Sequence, residues 1–114
     1  MPIVFASPGN QNLHELHELV PAFDFVFTSN DEACQELCDD ITEDIPCNHM
    51  FTAEKLDYEF CSVKSWNAVM SRFSLASGHV LIIAQKEYFN TLIPGFMDNE
   101  WETRSFNEKF LNII

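Results

Sequence analysis

Basic residues are scarce in this chain: six lysines and arginines stand against 18 aspartates and glutamates in 114 residues, for a formal net charge of −12. A nucleic-acid binder needs cationic side chains to displace counterions from phosphates, and an anionic membrane surface attracts the same charges, so both are excluded as direct partners. Glycine occurs only three times, no loop resembles a phosphate-cradling turn, and Ser7-Pro8-Gly9-Asn10 reads as an ordinary turn. The longest unbroken apolar run, residues 80–84, is far short of the ~20 residues that cross a bilayer. Residues 1–6 carry no basic side chain and only four apolar ones in a row, so no secretory signal is expected and a cytoplasmic address is. In a reducing compartment Cys34, Cys38, Cys47 and Cys61 are expected as thiols, not as a disulfide framework.

Hydrophobic residues, by contrast, make up 46% of the chain, and 11 positions are Phe. That is a folding composition, and the length suits a single compact domain over residues 1–114. Strands are expected at residues 3–6, at 22–28 with Phe23, Phe25 and Phe27 at period two, at 57–63 with Tyr58 and Phe60 alternating against Asp57 and Glu59, and at 79–84. Helices are expected after Asn12, from Ser29 with Glu32 as a capping box to about Asp44, from Ser65 to Gly78, over 86–93, and from Ser105 onward. Residues 46–56 read as irregular. Strands alternate with helices, which leans toward a parallel sheet. The wet face of residues 57–63 argues the other way, since parallel strands are buried on both faces. The expectation is therefore α+β: about four strands in a mixed or antiparallel sheet, with helices packed mainly on one face.

The charge is segregated. Residues 1–54 hold 11 acids and no lysine or arginine, and the first basic residue is Lys55. Seven carboxylates lie in residues 31–44 alone: Asp31, Glu32, Glu36, Asp39, Asp40, Glu43 and Asp44. At 100° per residue counted from Asp31, Glu32, Glu36, Asp39, Asp40 and Glu43 fall between about 80° and 180°. Cys34, Leu37, Cys38, Ile41 and Ile45 fall between about 240° and 340°. The helix thus has a carboxylate face nearly opposite an apolar one. It places about one charge per 3 Å of axis, close to the ~3.4 Å phosphate spacing of one DNA strand. A solvated face that keeps the protein soluble is the plain alternative.

Three other groupings hold residue types capable of chemistry. His14 and His17 flank Glu15 at i,i+3, whereas a zinc-protease helix needs i,i+4; with Glu18 they leave only a surface metal site to set against a solvated face. Cys34, Cys38, Cys47 and His49 supply four ligand types, but with no CxxC knuckle and with two thiols on the apolar side of a helix. Cys61 and His79 lack a visible third group and an oxyanion loop. No catalytic residue, metal ligand or cofactor is assigned.

The functional expectation is a small acidic binding or inhibitor protein that docks a basic surface of another protein, a nucleic-acid-binding protein in particular, by resembling nucleic acid. Glu32, Glu36, Asp39, Asp40 and Glu43 would supply the field, and an exposed aromatic such as Trp101 the packed anchor. The alternatives are a small enzyme using a Cys/His/Glu set and an acidic self-associating module.

Overall fold

Runs of β-branched and aromatic residues with no charge have to be covered on both sides, and two such runs form the middle of the sheet. The computed structural model describes residues 2–9, 13–72, 78–97 and 101–105. Its elements run β1 (Pro2–Ala6), α1 (Leu13–Leu19), β2 (Phe23–Thr28), α2 (Glu32–Asp44), β3 (Cys47–Thr52), α3 (Val63–Ser71), β4 (His79–Ile83), α4 (Lys86–Leu92) and β5 (Trp101–Ser105). Two short 3-10 turns, Glu54–Leu56 and Tyr58–Phe60, link β3 to α3. The strand order is β3-β2-β4-β1-β5. β1 to β4 are all parallel, and β5 joins the far edge antiparallel to β1.

In β1 and β4 successive side chains go to opposite faces, and both faces are dry. Ile3, Phe5, Val80 and Ile82 meet Trp66, Val69 and Met70 of α3 and Tyr88 and Phe89 of α4. Val4, Ala6, Leu81 and Ile83 meet Leu16 of α1 and Cys34, Leu37, Cys38 and Ile41 of α2. The first layer is aromatic: Phe5 stacks on Trp66 at 5.8 Å and meets Phe96 edge-on at 4.9 Å. Two of the described helices therefore cover each face. The chain moves toward β3 through α1 and α2 on one side and returns through α3 and α4 on the other, as right-handed crossovers require.

This is an α/β fold, which corrects the expected α+β class with a mixed or antiparallel sheet and one-sided helices. The error lies in residues 57–63. They form no strand; Asp57 sits between the two 3-10 turns, Leu56 is buried, and Tyr58 and Phe60 are 52% and 44% exposed. Alternation there reflects successive tight turns, so the wet face assigned to the sheet does not exist. The strand in that part of the chain is β3, in the segment expected to be irregular.

Other boundaries shift for local reasons. α2 is capped by Asp31, whose side chain accepts from the Cys34 N–H, and α3 by Ser62, which accepts from the Ser65 N–H. The Ser29 and Ser65 starts thus each move by two or three residues. Among the described glycines only Gly95 has positive φ, +76°, at the stop after α4. Gly78 serves close approach instead: a Cβ there would stand 3.3 Å from Asp24 Cβ. Ser105, expected to cap a terminal helix, is the last residue of β5 and pairs with Pro2; the rest of that expected helix, residues 106–114, lies outside those described, as do residues 73–77 of the helix expected to reach Gly78.

Candidate functional site

The acidic face is built on α2. Its underside, Cys34, Leu37, Cys38 and Ile41, is buried against the sheet. Glu32, Glu36, Asp39, Asp40 and Glu43 are all exposed on the other side. None of the five has an ion pair with a lysine or arginine among the described residues. The helix divides them by direction. Glu36 and Asp40, with Ala33 and Leu37, border a shallow depression against Pro8 and Gly9 of the β1–α1 loop. Asp39 lies on the opposite flank, next to Cys38, whose thiol contacts Met50 Sδ of β3 at 3.8 Å.

Burial pushes the Cys34 thiol up to about 12, with the Asp31 carboxylate adding to it, and the Cys38 thiol up to about 11, with Asp39 and Cys47 adding. Both therefore stay protonated and behave as small apolar groups. Cys34, Cys38, Cys47 and His49 do not converge on a metal site. Cys34 and Cys38 lie under α2, while His49 stacks on Phe25 at 5.0 Å across the sheet, on the α3/α4 face. Cys61 donates to the Tyr88 carbonyl at 3.4 Å, beyond the carboxyl end of β4, whereas His79 begins that strand. Glu15, His17 and Glu18 are exposed along α1, and the side chain of His14 lies outside what is described. Trp101, expected as an exposed anchor, is half-buried and packs against the α1/α2 core. Among the described residues the exposed large apolar side chains are Leu19, Met50, Tyr58 and Phe60.

A second feature escaped the sequence. β2 leads to α2 on one face and β4 to α4 on the other, so their carboxyl ends form a topological switch point, where open α/β sheets hold ligands. There the Ser29 hydroxyl donates to Asp57 Oδ1 at 2.5 Å, and the Asn30 N–H donates to the same oxygen at 2.7 Å. The Asp31 N–H donates to Ser29 Oγ at 3.1 Å, and Gln85 Nε2 donates to Asp31 Oδ2 at 2.7 Å. Asn30, Asp31, Asp57, Tyr58, Glu59 and Gln85 line an open crevice of about 340 Å³. Ser29 and Asp57 are 28 residues apart and meet only because β2 and β3 run parallel; no local spacing signals the pair. The network ties three strand ends together, since Ser29 N–H also donates to the Ile83 carbonyl.

Comparisons with protein-family models, with curated proteins and with solved structures return no match. No helix among the described residues is long and apolar enough to cross a membrane, and no group of three or more His, Cys, Asp or Glu side chains among them is arranged to hold a metal ion.

Proposed function

We propose that this is a small acidic docking protein whose α2 face occupies a basic surface of another protein, and that the surface it fits is one built for nucleic acid. Glu32, Glu36, Asp39, Asp40 and Glu43 supply the field, and the protein acts as an inhibitor by standing where phosphates would. The observation that carries this reading is the combination of exposure of all five carboxylates, absence of ion pairs to the chain's own described bases, and a buried underside that holds them outward. A net charge of −12 adds long-range attraction, so association is fast and weakens with salt. The encounter is proposed to be cytoplasmic.

The test is capture from a cytoplasmic extract on the immobilised chain, with elution by a sodium chloride gradient and, separately, by duplex DNA. The reading expects basic nucleic-acid-binding proteins to elute early in salt and to be displaced by DNA. Captured proteins that are acidic, or that resist both eluents, would contradict it.

A second reading, a small enzyme or ligand binder, is favoured by the place of the Ser29–Asp57 crevice at the switch point. Against it, Asp57 and Asp31 already accept hydrogen bonds from Ser29, Asn30, Cys34 and Gln85. Their geometry is that of a brace. Exposed Tyr58 and Glu59 remain as the groups a small polar ligand would meet first.

A further inference from the structure

Residues 60–86 hold no aspartate or glutamate, and α3 lies inside that stretch. The end of α3 meets the 3-10 turn Glu54–Leu56 across a groove of about 310 Å³, on the side of the sheet away from α2. Buried Ala53 and Val69 form its floor, and exposed Thr52, Glu54, Lys55 and Arg72 its rim. The wall carrying Lys55 is anchored to the core. The Ala53 N–H donates to the Thr28 carbonyl at 2.7 Å, and the buried Tyr88 hydroxyl donates to the Lys55 carbonyl at 2.8 Å. Arg72 is held from the other side. Its guanidinium carbon stands 5.6 Å from the centre of the Phe27 ring and 5.3 Å from that of Phe51, and those two rings stack at 5.4 Å. Stacking uses the face of a guanidinium and leaves its in-plane N–H fork for an oxyanion. Among the described residues Arg72, Lys55 and Glu54 form no ion pair. The chain has 18 acids for six bases, yet two of those bases share one groove with no carboxylate paired to either.

We propose that this groove binds a small organic oxyanion, a carboxylate or phosphate monoester on a short apolar stem, with Arg72 and Lys55 holding the charged end and Ala53 and Val69 receiving the stem. The site goes beyond the docking function and stands or falls without it, since α2 covers the other face. Its volume is at the lower end of small-ligand sites. The guanidinium is ordered by Phe27 and Phe51 before the ligand arrives, so less freedom is lost on binding. Two cations on one groove suit an anion, and Glu54 on the same rim opposes it, so the pair is expected to bind a singly or doubly charged group and not a polyanion. A cation at the end of α3 also answers the negative end of the helix dipole. That role alone needs neither the two rings nor Lys55 across the groove.

The test titrates butyrate, monobutyl phosphate and, as the cationic control, butylammonium into the full chain in phosphate-free buffer, with amide and Arg72 Nε–H resonances followed by NMR. At least one of the two anions is expected to give shifts at Ala53, Lys55, Val69 and Arg72 Nε–H that saturate below 50 mM, while butylammonium gives none. The anion that binds more tightly identifies the head group. Arg72→Lys keeps the charge but not the fork and should weaken binding at least fivefold. Lys55→Gln should weaken it at least threefold, and Glu54→Gln should tighten it at least twofold. Lys64→Gln removes an equal charge from α3 outside the groove and should stay within twofold. If Arg72→Lys fails to fold, as read from the Val4 and Leu81 amides, Lys55→Gln set against Lys64→Gln decides. Shifts by neither anion up to 50 mM, or shifts centred away from the groove, overturn the proposal. Losses in Lys64→Gln as large as those in Lys55→Gln also overturn it, because the anion would then follow general charge and not this site.

Discussion

Neutralising the acidic row should make the protein more stable, because no described lysine or arginine pairs with it. In the variant Glu36→Gln/Asp39→Asn/Asp40→Asn/Glu43→Gln, four like-charge i,i+4 contacts vanish: Glu32–Glu36, Glu36–Asp40, Asp39–Glu43 and Asp40–Asp44. Each costs about 0.2–0.5 kcal/mol in a helix at low salt. Glu43 also stands in the last turn of α2, which has no basic residue, and faces the negative end of the helix dipole at a cost of about 0.3–1 kcal/mol. The expected gain is about 1–3 kcal/mol, which for a domain of this size raises Tm by roughly 5–15 °C. The assay is thermal unfolding followed by circular dichroism in 20 mM and 500 mM NaCl. Since the cost is screened repulsion, most of the difference should disappear in high salt. A variant that melts below wild type, or a gain of equal size at both salts, would refute the reasoning, because the carboxylates would then be making contacts the fold depends on.

Other perturbations address the brace and the core. Asp57→Ala strands the buried Ser29 hydroxyl and the Asn30 N–H, and should cost about 2–4 kcal/mol by urea unfolding, while Asp57→Asn, which keeps an acceptor, should cost less than half of that. Phe5→Ala empties a ring enclosed by Trp66, Phe89 and Phe96 and should cost about 3–5 kcal/mol. Both Cys34 and Cys38 have folded-state values raised above that of an unfolded thiol, so the stability they confer is intact below about pH 9 and is lost as pH rises from there toward about 11–12. In that window each thiol should contribute up to about 1.4 kcal/mol per pH unit to the fall in unfolding free energy. Cys34→Ala should remove its share of the slope between pH 9 and 10.5, and an unchanged slope would contradict the burial of that thiol.

The parts of the fold legible in the sequence are those where one residue type meets one environment. β1 and β4 are short apolar runs buried on both faces, and α2 separates acid from apolar side chains at helical spacing; each follows from its residues alone. β3 does not. Its polar Asn48 and His49 precede Met50 and Phe51, so no alternation shows, and the adjoining strand has a register irregularity between Phe23 and Phe25. Phe25 and His49 then fall on the same face and stack, a contact that exists only once the strands are paired. Residues 57–63 mislead for the converse reason: tight turns mimic a period of two. The cap positions differ from expectation because Ser29 serves Asp57, leaving Asp31 to receive the Cys34 N–H. The acidic row is visible as a pattern, but its orientation on the sheet is not, since only the packing of Cys38 against Met50 and of Ala33 and Leu37 near Pro8 sets Glu36 and Asp40 beside the β1–α1 loop.

The most direct measurement is the affinity of a captured basic partner for wild type and for the fourfold neutralised variant, side by side at 50, 150 and 500 mM NaCl. The account predicts that wild-type affinity falls steeply with salt and that the variant, folded and more stable, binds at least a hundredfold more weakly at 50 mM. Equal affinity of the two proteins across the salt series would contradict it.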